Sequence, residues 1–351
     1  MSYVLITIAL LFSDYASLRQ ESLIEFQKGH YPQAEVLVRT AIEATKSTHD
    51  PYAEALNYAT LGDILQTQLR FSEAEREYRK ALLILNGDTT HTHAAAIVWR
   101  NFSGALTGDV QFREAISALK QASKLLAASK VDDPNLSAQI QNGLGVIQFQ
   151  QGDFNKAEDS FARAAAFPIK PGGPNDAGLW QIMNNLGKAY EAKHEYRKAE
   201  DAFNRSLQLA RVQLGEANTE MAILHGNLGG LYGETGRFEE AEYQFLRSLG
   251  ILQLRATPFD DLALMHTLYA FARSCVAQKN ETRAEPMLAR AAAIARKQVS
   301  LGEMPEVSEI FELYSKVLMD LSNASEAEQV RAEARRVRAA MAFTVPVRTL
   351  R

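Results

Sequence analysis

The apolar positions of this chain repeat one register many times over. An aromatic residue, two variable residues and Ala-Glu recur as Tyr31…Ala34-Glu35, Phe71…Ala74-Glu75, Phe154…Ala157-Glu158, Tyr196…Ala199-Glu200 and Phe238…Ala241-Glu242. Phe112…Ala115 keeps the pattern with Ile116 in place of Glu, and Ala284-Glu285 and Ala327-Glu328 keep it without the aromatic. The spacings between these eight anchor alanines are 40, 41, 42, 42, 42, 43 and 43 residues. Twelve residues before each anchor stands a small residue: Ser22, Gly62, Ser103, Gly145, Gly187, Gly229, Ala272 and Ser315. Seven after it stands another: Ala41, Ala81, Ala122, Ala164, Ser206, Ser248, Ala291 and Ala334. Just before the upstream small residue lies a large apolar one, as in Leu61, Phe102, Leu144, Leu186, Leu228, Phe271 and Tyr314, with Glu21 the exception. Around each anchor the apolar spacing is helical, as in Ala74, Tyr78, Ala81 and Leu82.

Small side chains at fixed places let two helices approach, and large ones fill the space beside them. Turn signals separate the two helices of a unit: Gly29, Gly152 and Gly236 stand five before their anchors, where a helix C-cap glycine belongs. Between units, Asp50-Pro51 and Asp133-Pro134 read as an N-cap followed by a first-turn proline. Each unit therefore predicts helix A, a short turn, helix B and a loop to the next helix A. The whole chain predicts about sixteen antiparallel helices and almost no strand.

This layout resembles the tetratricopeptide repeat (TPR) family, including its tryptophan position, which Trp99 occupies in the third unit. The resemblance implies an all-α, right-handed superhelical α-solenoid of about eight helix-turn-helix repeats. The period near 42 is similar to the longer subtype of kinesin light chains and many bacterial proteins. It covers residues 15–342, with residues 1–14 as an apolar N-terminal segment and 343–351 as a tail. Three positions depart from the pattern. Glu21 in the first unit suits an exposed end cap, and Glu281 replaces the aromatic of the seventh. Pro286 sits early in that unit's helix B and predicts a late helix start.

Residues 167–176 carry Pro168, Pro171 and Pro174 and should end helix B of the fourth unit early. The stretch reads as a longer surface loop or as a hinge between two four-repeat halves. Residues 3–12 are too few to span a bilayer as a helix. They read as a signal-peptide core, as a capping helix or as the product of a mis-assigned start. The chain would be exported (secreted or periplasmic) in the first case and cytoplasmic otherwise.

Composition narrows the chemistry. Fifty-two alanines against 20 glycines and 10 prolines favour helices. A net charge of -4 makes nucleic acid an unexpected partner. The single cysteine, Cys275, excludes a disulfide framework or a cysteine-cluster metal site, and it falls on a helix A core position. No phosphate loop or nucleophile elbow is present. His91 and His93 are the only close histidines, in a loop without the further ligands of a zinc shell. Neither a cofactor nor a metal is expected, and nothing points to an enzyme. The tail from Arg331 to Arg351 carries six arginines and one acid, which fits a solvated end helix or a surface for anionic lipid or nucleic acid.

A repeat stack of this kind works through a concave face lined by helix A. By the resemblance, groove positions lie 18, 15, 14, 11 and 8 residues before the anchor. Those places hold Arg100, Asn101, Asn142, Asn184, Asn185, Lys188, Asn227, His266, Tyr269 and Arg273, with Asp63, Glu191, Glu309 and Glu312 opposing the cations. Asparagine is a modest helix former, so its recurrence on one face needs a reason. Its amide, both donor and acceptor, can hold the backbone of an extended peptide or bridge successive helices of the stack. The expected function is a non-enzymatic scaffold that binds a protein or peptide segment. The alternatives are an adaptor for nucleic acid or a membrane surface through the tail, or a regulatory subunit of an enzyme complex.

Overall fold

The computed structural model describes residues 15–168, 178–253, 258–298 and 305–344. The apolar segment 3–12, most of the proline-rich stretch and the end of the tail lie outside them. The described residues form sixteen α-helices and no strand. They are α1 (Tyr15–Gln27), α2 (Tyr31–Thr48), α3 (Pro51–Thr67), α4 (Phe71–Leu85), α5 (Thr92–Gly108), α6 (Phe112–Ser129), α7 (Pro134–Gln150) and α8 (Phe154–Ala165). There follow α9 (Leu179–Ala192), α10 (Tyr196–Leu214), α11 (Thr219–Glu234), α12 (Phe238–Leu252), α13 (Pro258–Ala277), α14 (Glu281–Gln298), α15 (Pro305–Asp320) and α16 (Ala324–Thr344). Odd-numbered helices are the A helices and even-numbered ones the B helices. The chain divides into two compact units, residues 1–178 and 179–351.

In both units the closest packing is between the two helices of a hairpin. The anchor alanines and the small residues seven after them are buried almost completely in every hairpin. Four hairpins carry glycine twelve before the anchor, and each of these carries an aromatic ring four after it: Gly62 with Tyr78, Gly145 with Phe161, Gly187 with Phe203 and Gly229 with Phe245. A Cβ on any of these glycines would lie 2.6–2.8 Å from the ring. Where the small residue has a Cβ, as in Ser22, Ser103 and Ala272, the partner shrinks to Val38, Leu119 and Leu288. Volume is thus held nearly constant across these seven contacts, while the eighth hairpin sets Ser315 against exposed Arg331.

The turns are more uniform than the sequence suggests. In every hairpin the residue five before the anchor is left-handed, with φ between 56° and 81°: Gly29, Leu69, Val110, Gly152, His194, Gly236, Lys279 and Ser322. The next N–H reaches back five residues, from His30 to the Glu25 carbonyl through Asn323 to the Leu318 carbonyl, which makes eight Schellman caps. Only three of the eight are glycine. Asp50 and Asp133 cap α3 and α7, accepting from Ala53 N at 3.0 Å and Leu136 N at 2.8 Å.

Glu21 is exposed, and α8 stops three residues short of Pro168. Pro286 needs a correction, because α14 does not start late. It begins at Glu281, in register with the other B helices, and carries Pro286 inside its second turn. The Asn280 side chain caps it by accepting from Arg283 N at 3.2 Å. The carbonyl that proline leaves unpaired is that of exposed Thr282, which water can satisfy.

Candidate functional site

Within residues 1–178 the A helices α1, α3, α5 and α7 touch one after another, which sets their polar rows side by side. Asp63 of α3 is the hub of this face. Its Oδ1 accepts from Tyr78 Oη at 2.6 Å and from Asn101 Nδ2 at 2.8 Å. Burial pushes the Asp63 carboxyl up, against the pull of Tyr78, the Arg100 charge and Asn101. Burial likewise pushes the Arg100 guanidinium down, and Asp63 resists it. Arg100 donates to the side-chain oxygen of Gln139 on α7. Two polar atoms of this cluster are buried without a partner: the Nε of Arg100, a donor, and the Oδ1 of Asn101, an acceptor. Asn142 of α7 is engaged in its own interaction.

Within residues 179–351 the face is a row of charges and amides. Asn227 of α11 donates to Asn184 of α9 at 2.8 Å, so this pair bridges helices. Asn185 and His266 are also engaged, and Lys188 is exposed. Arg273 of α13 lies 3.6 Å from Glu234 of α11 and over the ring of Tyr269 at 5.9 Å. Tyr269 donates to Glu309 of α15 at 3.3 Å. Burial pushes its hydroxyl up to about 12, and the Glu309 charge adds to that. Glu191 is half-buried. Burial, then the charge of Glu234, push its carboxyl up to about 7 while Lys188 and Arg273 pull the other way.

In each unit the predicted residues stand on neighbouring A helices, and Asn101, Asn184 and Asn227 have partners inside the protein. Sequence reasoning did not find the cross-repeat role of the glutamates after the anchors. Arg70 donates to Glu35 at 2.7 Å, Gln111 to Glu75 at 2.9 Å, Arg237 to Glu200 at 2.7 Å and Arg283 to Glu242 at 2.9 Å. The signal was present, since Arg or Gln stands four before three of the following anchors.

The other candidates disperse. His91 pairs with Asp88 at 2.6 Å and stacks on Tyr52, while His93 pairs with Asp133 at 3.0 Å. Cys275 is buried, and burial pushes its thiol up. Arg331 and Arg335 lie 3.8 Å from Glu328, and Arg338 pairs with Glu312. Among the described residues no helix is long and apolar enough to cross a membrane.

A sequence profile of the MalT-like TPR region matches residues 105–341. No curated protein sequence matches the chain. Its fold is similar to that of the Rap conjugation gene regulator of plasmid pLS20, solved in complex with the Phr* peptide. The two are 15% identical with a TM-score of 0.63, over 87% of this chain and 79% of that one. It is similar too to the apo form of RapI, at 13% identity and a TM-score of 0.61, over 82% of this chain and 99% of that one. Aspartyl phosphate phosphatase F from Bacillus subtilis follows, at 12% identity and a TM-score of 0.60, over 86% and 75%. At such identities the likeness is one of fold.

Proposed function

The chain belongs to the MalT-like TPR family, and from that premise we propose that it is a non-enzymatic scaffold whose A-helix face binds an extended segment of a protein or peptide partner. One observation carries this reading. The cluster of Asp63, Arg100, Asn101 and Gln139 leaves a buried donor and a buried acceptor unpaired on that face. An unpaired buried polar group costs about 1–3 kcal/mol. A peptide backbone presents one carbonyl and one N–H per residue and can supply both partners. The pLS20 regulator, a protein of this fold, was solved with a peptide bound, which suits the same reading. In this account residues 15–342 are the repeat array of the longer subtype, and the charged row of Lys188, Glu191, Tyr269 and Arg273 selects among partners.

Photo-crosslinking tests it. A benzophenone side chain in place of Ile97, on the A face of α5, should capture a partner from native lysate. The same group in place of Val212, exposed on α10, should capture nothing in common with it. Equal capture at both places, or capture at Val212 alone, would remove the A face as the binding surface.

A further inference from the structure

The B helices of successive repeats leave slots between them, each floored by the A-helix residue sixteen before the anchor. Three such slots are register equivalents, so the chain is its own control. The slot between α2 and α4, over Tyr58, encloses about 210 Å³ and is filled by matched charges. There Lys80 pairs with Glu77 at 2.9 Å and Lys46 with Glu43 at 2.7 Å. The slot between α4 and α6, over Trp99, encloses about 740 Å³ and is mostly apolar. The slot between α10 and α12 differs from both. It encloses about 400 Å³ over His225, within the usual range for small-molecule sites, and its walls carry amides and two arginines.

His225 is 4% exposed. Its Nδ1 lies 2.6 Å from the Gln244 side-chain oxygen. That oxygen accepts, so in the neutral ring Nδ1 carries the proton and Nε2 presents a lone pair. Nε2 is buried and has no partner. Burial, and then the charges of Arg247 and Arg211, hold the imidazole below its ordinary value against the Gln244 hydrogen bond and Glu216, which favours the neutral ring. At the mouth, Arg211 and Arg247 both grip Glu216, at 2.6 Å and 2.9 Å. Two guanidiniums against one carboxylate leave an excess positive charge. The bridge also demonstrates that their separation fits a carboxylate. Asn204, Gln208 and Gln244 add neutral donors and acceptors along the wall.

We propose that this slot binds a carboxylate flanked by an N–H or O–H donor, the carboxylate on Arg211 and Arg247 and the donor on His225 Nε2. A free hydroxy or acylamino acid has this chemistry, and so does the C-terminal residue of a peptide, whose own N–H adjoins its carboxylate. Glu216 is then an internal competitor that the ligand displaces or shares. The site opens between the B helices α10 and α12, with His225 of the A helix α11 as its floor.

The test uses the full-length protein labelled with 15N-histidine and titrated with N-acetylglycine. The His225 Nε2 resonance should shift to saturation. Arg211→Gln and Arg247→Gln should each weaken binding about tenfold or more, the loss of a charge-assisted hydrogen bond. Glu216→Gln should tighten it, a change of opposite sign that general destabilisation of the slot would not give. Acetate, which lacks the donor, and N-acetylglycine methyl ester, which lacks the charge, should bind more weakly than N-acetylglycine. A short peptide with a free C-terminus, compared with its amidated form, separates the two sources. Tighter saturation by the free peptide than by N-acetylglycine assigns a chain end, and the reverse order assigns a small acid. No saturable shift with any of these probes at millimolar concentration, unchanged affinity in Arg247→Gln, or unchanged or weaker binding in Glu216→Gln would overturn the assignment.

Discussion

Gly229 and Gly230 are neighbours inside α11, and the packing predicts that replacing them by alanine has opposite effects. A Cβ on Gly230 meets nothing within 4 Å, so Gly230→Ala gains helix propensity alone and should stabilise by about 0.5–1 kcal/mol. A Cβ on Gly229 would stand 2.8 Å from Cε1 and 2.9 Å from Cδ1 of Phe245. That ring is fully buried and stacks on Phe271 at 5.0 Å, so it has little room to retreat. Overpacking of this kind costs about 1–3 kcal/mol. Set against the same propensity gain, Gly229→Ala should leave a net loss of up to about 2 kcal/mol. The chain itself supplies the rescue, because its seventh hairpin pairs Ala272 with Leu288 where the sixth pairs Gly229 with Phe245. Phe245→Leu should therefore cost less in the Gly229→Ala background than in the wild type. A double-mutant cycle should show a coupling of about 1 kcal/mol or more. Urea denaturation followed by circular dichroism measures all four proteins. Shifts of the same sign in the two single glycine variants, or an additive cycle, would refute this hairpin packing.

Val110 holds a left-handed conformation at φ 59° while 68% exposed, so Val110→Gly removes strain and loses little burial. It should raise stability by about 0.5–1 kcal/mol, and a lower melting temperature would count against the cap. Glu191, with its carboxyl pushed up to about 7 from an ordinary 4.5, keeps a proton in the folded state that the unfolded chain has already lost. Stability from this group therefore falls as pH rises through that window, and Glu191→Gln should gain on the wild type between about pH 5 and pH 8. A gap that does not change with pH would contradict this. Asn227→Ala unpairs buried Asn184 and should cost about 1 kcal/mol of folding stability in urea denaturation. Unchanged stability would contradict the bridge between the two helices.

The hairpin framework was legible because close helix packing fixes side-chain volume at fixed spacing. Alanine at the anchor, a small residue twelve before it and another seven after it are conditions for approach, and they survive where the aromatic is lost, as at Glu281. The caps were legible only where glycine stands. Leu69, Val110, His194, Lys279 and Ser322 adopt the same left-handed geometry without glycine's freedom for it, because the hairpin they close dictates it. Pro286 misled for the same reason: the helix register set by its neighbours outweighs one missing hydrogen bond near an exposed end.

The polar sites depended on something a single helix pattern does not contain, namely the offset between neighbouring helices. Asn184 and Asn227 occupy different rows, fifteen and fourteen before their anchors, yet they meet at 2.8 Å. A one-residue stagger between α9 and α11 turns an apparent ladder of outward amides into a bridge between the two helices. His225 makes the converse point. Sixteen before its anchor it falls among positions held by Tyr58, Trp99 and Leu268, and by pattern it is a core residue. What makes it a candidate site is the space left between α10 and α12 and a nitrogen that no neighbour reaches. In a repeat protein the recurring register builds the walls, and chemistry arises where one repeat departs from its equivalents. The slots over Tyr58, Trp99 and His225 share one frame, and of these three the last sets an unpaired buried nitrogen beside two arginines.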